Sequence, residues 1–185
     1  MKNTERSKHF LLLQINDALF PIGGYSHSYG LETYIQKDKV RSTEEAWGYI
    51  ERKLRYGLCY TELLAASLAY QSAREGDIGR LDRLEEVMEA ARSPREIRQA
   101  GQKLGSRFIK TLKDLPIPYE NDSFKAYQKS RSRKSTTHAI VYGVFCASVG
   151  IPYEEAMDHY LYAQTSSMIT NCVKTVHGSC CFFTP

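Results

Sequence analysis

What the chain has little of narrows it first. Its 185 residues hold five cysteines, Cys59, Cys146, Cys172, Cys180 and Cys181. An odd number at irregular spacing makes no disulfide framework, which points to the cytosol. No apolar run approaches the ~18 residues of a membrane span. The first ten residues lead into no apolar signal core with a small-residue cleavage site. There is no G-x-x-x-x-G-K-[ST] loop, so the chain is not expected to hydrolyse nucleotide itself. No carboxylate pair stands out as an acid/base couple. No stretch alternates as a strand would, and there is no repeat and no long linker. The net charge of +4 is mild and implies neither nucleic acid nor a membrane surface. One tryptophan stands against thirteen tyrosines, a bias that suits wet helix contacts and protein interfaces.

What is present is helical periodicity. Residues Met1 to Ser7 are polar and expected to fray. His9 to Leu19 is apolar nearly all round and predicts a short, deeply buried helix. Ser42-Thr43-Glu44-Glu45 is a capping box opening a helix with Trp47, Ile50, Leu54 and Leu58 on one face. Leu63 to Ala69 extends the pattern; Gly57 leaves open one helix or two abutting ones. Leu81, Leu84, Val87 and Met88 mark the next helix. Ser93-Pro94-Arg95-Glu96 is a second capping box. It is followed by Ile97, Ala100, Leu104, Phe108 and Leu112. Gly101 and Gly105 lie one turn apart inside that helix, at about 1 kcal/mol each relative to alanine, which hints at a close helix crossing. Leu115-Pro116-Ile117-Pro118 breaks the chain. Asn121 to Arg133 reads as a polar, basic loop. His138, Val141, Tyr142, Phe145 and Val149 define a helix that Gly150 stops. Pro152 restarts one with Glu154 and Glu155 in its first turn. That last helix carries two stripes, Ala156, Tyr160, Ala163 and Ser167, and Met157, Leu161, Met168 and Cys172. The fold class is therefore all-α, a single-domain, bundle-like assembly of about seven to nine helices.

The richest stretch is Pro21-Ile22-Gly23-Gly24-Tyr25-Ser26-His27-Ser28-Tyr29-Gly30-Leu31-Glu32. Pro21 fixes one dihedral, the glycines permit positive φ or close approach, and Ser26 is a good helix cap. The helix after it runs from Tyr29 to Gln36. Ser26, His27 and Ser28 invite a hydrolase reading, in which an all-helical enzyme or ligand-binding protein uses this loop with Glu32. A nucleophile elbow needs glycine on both sides of the serine, on a strand-to-helix turn. Ser26 has Gly24 before it but Ser28 after it, and no strand precedes it.

The histidines are His9, His27, His138, His159 and His177, and none pair at helical metal-ligand spacing. His177-Gly178-Ser179-Cys180-Cys181 lacks an arranged fourth ligand, so no metal site is expected. The run Lys125, Lys129, Arg131, Arg133 and Lys134 reads as a solvated loop, or as a face for an acidic protein partner.

The order of leucine run, aspartate and P-I-G-G-Y-S-H-S-Y-G-L-E resembles the opening of the UreF family of urease accessory proteins. Gln102 to Phe108, centred on Gly105 and Arg107, is similar to that family's glycine-centred helix. His138 to Phe145, with Gly143, and Gly150-Ile151-Pro152 resemble its later segments, as does Asn171 to Val176. The resemblance implies an all-helical, homodimeric, non-enzymatic protein of the cytoplasm. It implies partners: a UreD (UreH)-type accessory protein, a UreG-type GTPase and apo-urease, in GTP-dependent assembly of a nickel metallocentre. Nickel and GTP would be handled by those partners, with no cofactor bound directly. Signature or interface residues would be Pro21, Ile22, Gly23, Gly24, Tyr25, Ser26, His27, Ser28, Gly30, Leu31, Glu32, Gly105, Arg107, His138 and Gly143. The family continues past Val176 with a proline-leucine motif and a further helix. This chain reads instead His177 to Pro185. The expectation is a UreF-like domain over 1–176 and an atypical, disordered tail over 177–185, truncated or frameshifted, with contact to the UreD-type partner impaired.

Overall fold

The computed structural model describes residues 2–23, 30–91, 95–113 and 115–175, without the side chains of 2–4, 32, 174 and 175. Nine α-helices appear in this part of the chain: α1 (Lys2–Asn16), α2 (Leu31–Gln36), α3 (Thr43–Arg52), α4 (Glu62–Glu75), α5 (Ile78–Ala91), α6 (Arg95–Leu112), α7 (Ser123–Ser130), α8 (His138–Val149) and α9 (Tyr153–Thr175). A π-helical turn (Lys53–Gly57) and a 3-10 turn (Leu58–Tyr60) join α3 to α4. No strand occurs among the described residues, and the all-α expectation holds.

The fold is built around α8. Every residue from Ala139 to Val149 is buried, so this helix is enclosed on all sides rather than along one stripe. Gly143 is what lets α4 approach it: a Cβ there would overlap the Ala66 carbonyl. Gly105 does the same for α6, because its Cβ would overlap the Thr136 carbonyl just ahead of α8. The close crossing expected from the Gly101/Gly105 pair is thus found at Gly105; Gly101 is also buried. The Phe108 ring fills the space between, with Phe20, His138 and Phe145 within 5.7 Å of its centroid. Burying one such aromatic contributes about 1.5–3 kcal/mol.

Glycine ends two of these helices as periodicity suggests. Gly76 (φ 71) and Gly150 (φ 74) close α4 and α8. In both, the residue after the glycine donates back five positions, Asp77 N to Ser72 O and Ile151 N to Cys146 O, which completes a Schellman motif.

A second, smaller core joins Leu31 and Val40 to Ala46 and Ile50 of α3 and to Met168 and Cys172 of α9. Helix α9 divides between the cores along its length and not by its two expected stripes, for Met157 and Met168 share a stripe and serve different cores. Ala156, Met157 and Tyr160 serve the main one, and Met168 and Cys172 the second.

Several expectations need correction. The first helix begins at Lys2, taking in the segment expected to fray. It is not deeply buried all round: Leu12 and Ile15 are, whereas Phe10 and Leu13 face solvent and Leu19, beyond its end, is 88% exposed. One-sided packing against α9 explains this. Lys8 on that inner side is buried and donates to Glu120 Oε1 (2.5 Å) and the Gly150 carbonyl (3.2 Å), tying α1 to the end of α8. The α3 stripe is also rotated. Ala46 and Ile50 are buried and Trp47 is 59% exposed, because the second core lies on their side. Ser42 caps α3 by accepting from Glu45 N at 3.3 Å, but the Glu45 carboxylate returns to Arg41 N rather than to Ser42 N. Gly57 does separate two helices. Residues 121–133 are not a loop, since α7 buries Phe124 and Tyr127, and Arg131 of the basic run is buried on Asp82. On α5, Glu85 is buried where Val87 was expected, and Val87 is exposed. The capping box at Ser93 and the segment 177–185 lie outside the described residues.

Candidate functional site

The signature segment is described at its two ends. Gly24, Tyr25, Ser26, His27 and Ser28 lie outside the described residues, as does the Glu32 side chain. At the entry, the chain leaves α1 through Asp17, whose Oδ1 accepts from Leu19 N at 2.6 Å and whose carbonyl accepts from Phe20 N at 3.0 Å. This turn drops Phe20 and Ile22 into the main core while Pro21 stays exposed. Gly23 follows at φ 80, a left-handed conformation that favours glycine.

Arg107 holds this entry from behind. Its Nη1 donates to the Ile22 carbonyl at 3.4 Å, and it lies 2.6 Å from where a Gly23 Cβ would be. The glycine is therefore needed twice, for its dihedral and for the guanidinium beside it. At the exit, Gly30 has φ 95 in the N-cap position of α2, with open space where its Cβ would be, so only the dihedral asks for glycine there. Its carbonyl accepts from Thr33 N and Tyr34 N, and Leu31 inserts into the second core. The segment thus bridges the two cores, fixed at each end by a positive-φ glycine and a buried aliphatic residue.

Beside the entry lies a cleft of about 310 Å³, lined by Asn16, Phe20, Ile22, His138, Tyr162 and Ser167 among others. The His138 ring packs at 5.4 Å from Phe108 and stacks on Tyr160 at 6.0 Å. Below it the Tyr142 hydroxyl donates to the Ala156 carbonyl at 2.9 Å and accepts from Asn16 Nδ2 at 3.1 Å. Burial pushes the Tyr142 phenol and the neighbouring Cys146 thiol far above their ordinary values. Both stay neutral, so these two groups offer neither a phenolate nor a thiolate there.

The structure therefore brings Ile22, Gly23, Gly105, Arg107 and His138 to one region, where α6 and the start of α8 support the loop. It does not bring Gly143 there, because that residue faces α4 on another side of α8. His9 and His159 meet edge to face at 6.3 Å, a contact that sequence spacing could not show. Among the described residues no group of three or more His, Cys, Asp or Glu side chains is arranged to hold a metal ion. Nor is any helix there long and apolar enough to cross a membrane.

One constellation escaped the sequence reading. Glu85 is 2% exposed and accepts from the Tyr127 hydroxyl (2.5 Å) and from Thr137 N (3.0 Å). Arg131 sits beside it, donating to Asp82 Oδ1 at 3.3 Å and to the Ser135 carbonyl. Together they pin residues 131–137, the segment that Gly105 packs against. Glutamate within the apolar stripe of α5 was the available signal.

A family model described as UreF matches residues 40–178, well over half of the chain. The chain is also similar to the urease accessory protein UreF of Bacillus sp. (strain TB-90), at 32% identity over 169 residues, covering 89% of this chain and 72% of that protein.

Proposed function

The chain belongs to the UreF family, and from that premise we propose that it is a non-catalytic accessory protein acting in urease maturation through protein contacts. The observation that carries this reading is the family match across 40–178 together with the extended similarity to a urease accessory protein. The geometry supports it in kind. The two described ends of the signature segment are held by a guanidinium on a carbonyl and by glycine dihedrals, which suits presentation of a recognition surface.

On this reading the chain acts in the cytoplasm as a homodimer. It joins a UreD (UreH)-type protein to a UreG-type GTPase, and the assembly loads nickel into apo-urease as GTP is hydrolysed. Nickel and nucleotide are held by the partners, and this chain binds neither directly.

The test is co-expression of the tagged chain with UreD-type, UreG-type and apo-urease proteins. The chain should co-elute with the UreD-type and UreG-type proteins, and urease nickel content and activity should depend on it. Equal nickel loading without the chain, or failure to retain either accessory partner, would overturn the proposal. The chain alone should show no GTP turnover that survives repurification.

A further inference from the structure

Away from the signature segment, α2, α3 and the π-turn enclose a second cleft, of about 410 Å³, lined by Tyr34, Lys39, Val40, Tyr49, Arg52, Lys53 and Gly57. Three of these are cations and none is an acid. The local backbone explains how they meet. Asp38 at φ 53 closes α2, with Asp38 N donating to Ile35 O and Lys39 N to Tyr34 O, so the chain turns back and brings the Lys39 backbone onto the Tyr34 carbonyl. After Arg52, the π-turn widens the helix by about one residue per turn, a geometry frequent at functional sites. It sets Arg52, Lys53 and Gly57 on the same cleft; the Lys53 stem runs 3.2 Å from where a Gly57 Cβ would be.

Three acids on the flanking elements are engaged elsewhere. Glu51 pairs with Arg55 at 3.2 Å, Asp38 faces Arg41 at 3.9 Å, and the Glu45 carboxylate takes Arg41 N. Among the described residues no salt bridge neutralises Lys39, Arg52 or Lys53. The Tyr34 and Tyr49 rings pack at 5.2 Å, and burial pushes the Tyr49 phenol up to about 12, so it stays protonated and does not compete as an anion.

We infer that this cleft is an anion-binding site for a phosphate group, with Arg52, Lys53 and Lys39 as its charged ligands and the two tyrosines as its wall. A guanidinium fork matches tetrahedral oxyanions in two-point geometry, and two ammonium groups add charge without demanding direction. A concave wall with one sign of charge raises the local anion concentration. The phosphate is free or carried on a small soluble ester.

The experiment titrates the isotopically labelled full chain with inorganic phosphate and, separately, with adenosine 5′-monophosphate, following amide and side-chain resonances at physiological salt. Saturable shifts at Lys39, Arg52 and Lys53 are expected, and sulfate should compete. Tighter binding of the nucleotide assigns the ester as the ligand; equal binding assigns the free anion. The double variant Arg52→Gln, Lys53→Gln should bind at least about tenfold more weakly, equivalent to ~1.4 kcal/mol, with an unchanged melting transition. Gly57→Ala, whose methyl displaces the Lys53 stem, should weaken binding while keeping every charge. Absence of saturable shifts with both ligands, or unchanged affinity in the double variant, would overturn the site.

Discussion

The Tyr127 hydroxyl donates to Glu85 at 2.5 Å, and the two residues are 42 positions apart in the chain. Thr137 N, from the far end of the loop after α7, donates to the same carboxylate at 3.0 Å. One buried acid therefore joins α5, α7 and the entry to α8. That entry is the backbone on which Gly105 rests, and two residues on from Gly105 in α6 stands Arg107, which holds the signature segment. The support of the candidate site runs back to a carboxylate that touches none of it.

Removing that carboxylate should be costly. Glu85→Leu leaves the Tyr127 hydroxyl and Thr137 N–H without partners, at about 1–3 kcal/mol each. Glu85→Gln should cost less, because its oxygen can serve Thr137 and its amide can donate to Tyr127. Desolvation raises the Glu85 pKa above the ordinary 4.5, against the opposing hydrogen bonds from Tyr127 and Thr137. A raised carboxylate pKa means the folded state binds the proton more tightly than the unfolded state. Its contribution is thus fully present below 4.5 and is lost as pH rises through the raised value. Urea unfolding of wild type and Glu85→Gln across the acidic range should show the wild-type advantage shrinking as pH rises. A difference independent of pH would refute this.

The glycines divide into two classes by what a methyl would meet. Gly105→Ala and Gly143→Ala each drive a Cβ into a backbone carbonyl, of Thr136 and of Ala66, and should destabilise by at least the 1–3 kcal/mol typical of overpacking, about 2 kcal/mol. Gly79→Ala, early in α5, meets only Asp77 Oδ1 at 3.5 Å and should stabilise by up to about 1 kcal/mol. Thermal melts of the three variants decide it. Equal effects would mean that the two crossings are looser than the carbonyl overlaps require.

Much of this was legible beforehand, and the rest was hidden for identifiable reasons. Steps of three and four located the helices, and the glycine in α6 announced its crossing. Burial on a chosen face was harder. Ala46 and Ile50, rather than Trp47, point inward because Leu31, Met168 and Cys172 converge there from distant positions. Helix α7 carries only Phe124 and Tyr127 as an apolar signal, one turn's worth, amid polar and basic neighbours. Of the candidate site, the glycine-rich segment stood out by composition. Its anchor did not, because Arg107 and Ile22 lie 85 positions apart and an arginine on an amphipathic helix reads as surface.

The Gly23 and Arg107 pair should behave as one unit. Gly23→Val imposes a strained positive φ and displaces the guanidinium, at about 1–3 kcal/mol. Arg107→Ala removes the hydrogen bond to Ile22 and frees the space a side chain at 23 would need. In a double-mutant cycle the combined variant should be less destabilised than the sum of the singles, by roughly 0.5 kcal/mol or more. Strict additivity in urea unfolding would show that the guanidinium does not confine residue 23.

Among the described residues, one Schellman turn is closed without glycine. Asp38 adopts φ 53 at the end of α2, where Gly76 and Gly150 do the same for α4 and α8. An L-residue in that region costs roughly 1–2 kcal/mol. Aspartate recovers part of this locally, and glycine loses about 0.5–1 kcal/mol through the greater freedom of its unfolded chain. The side chain contributes little in compensation: its contact with Arg41 is 3.9 Å long, with both groups largely exposed. Asp38→Gly should therefore be neutral to stabilising, by about 0.5 kcal/mol, and Asp38→Val destabilising by more than that. Because the turn returns Lys39 onto Tyr34, the glycine variant should also leave the resonances of Lys39 and Tyr34 in place, whereas the valine variant should move them. A destabilising glycine substitution would mean that the Asp38 carboxylate, and not the backbone conformation, holds the end of α2.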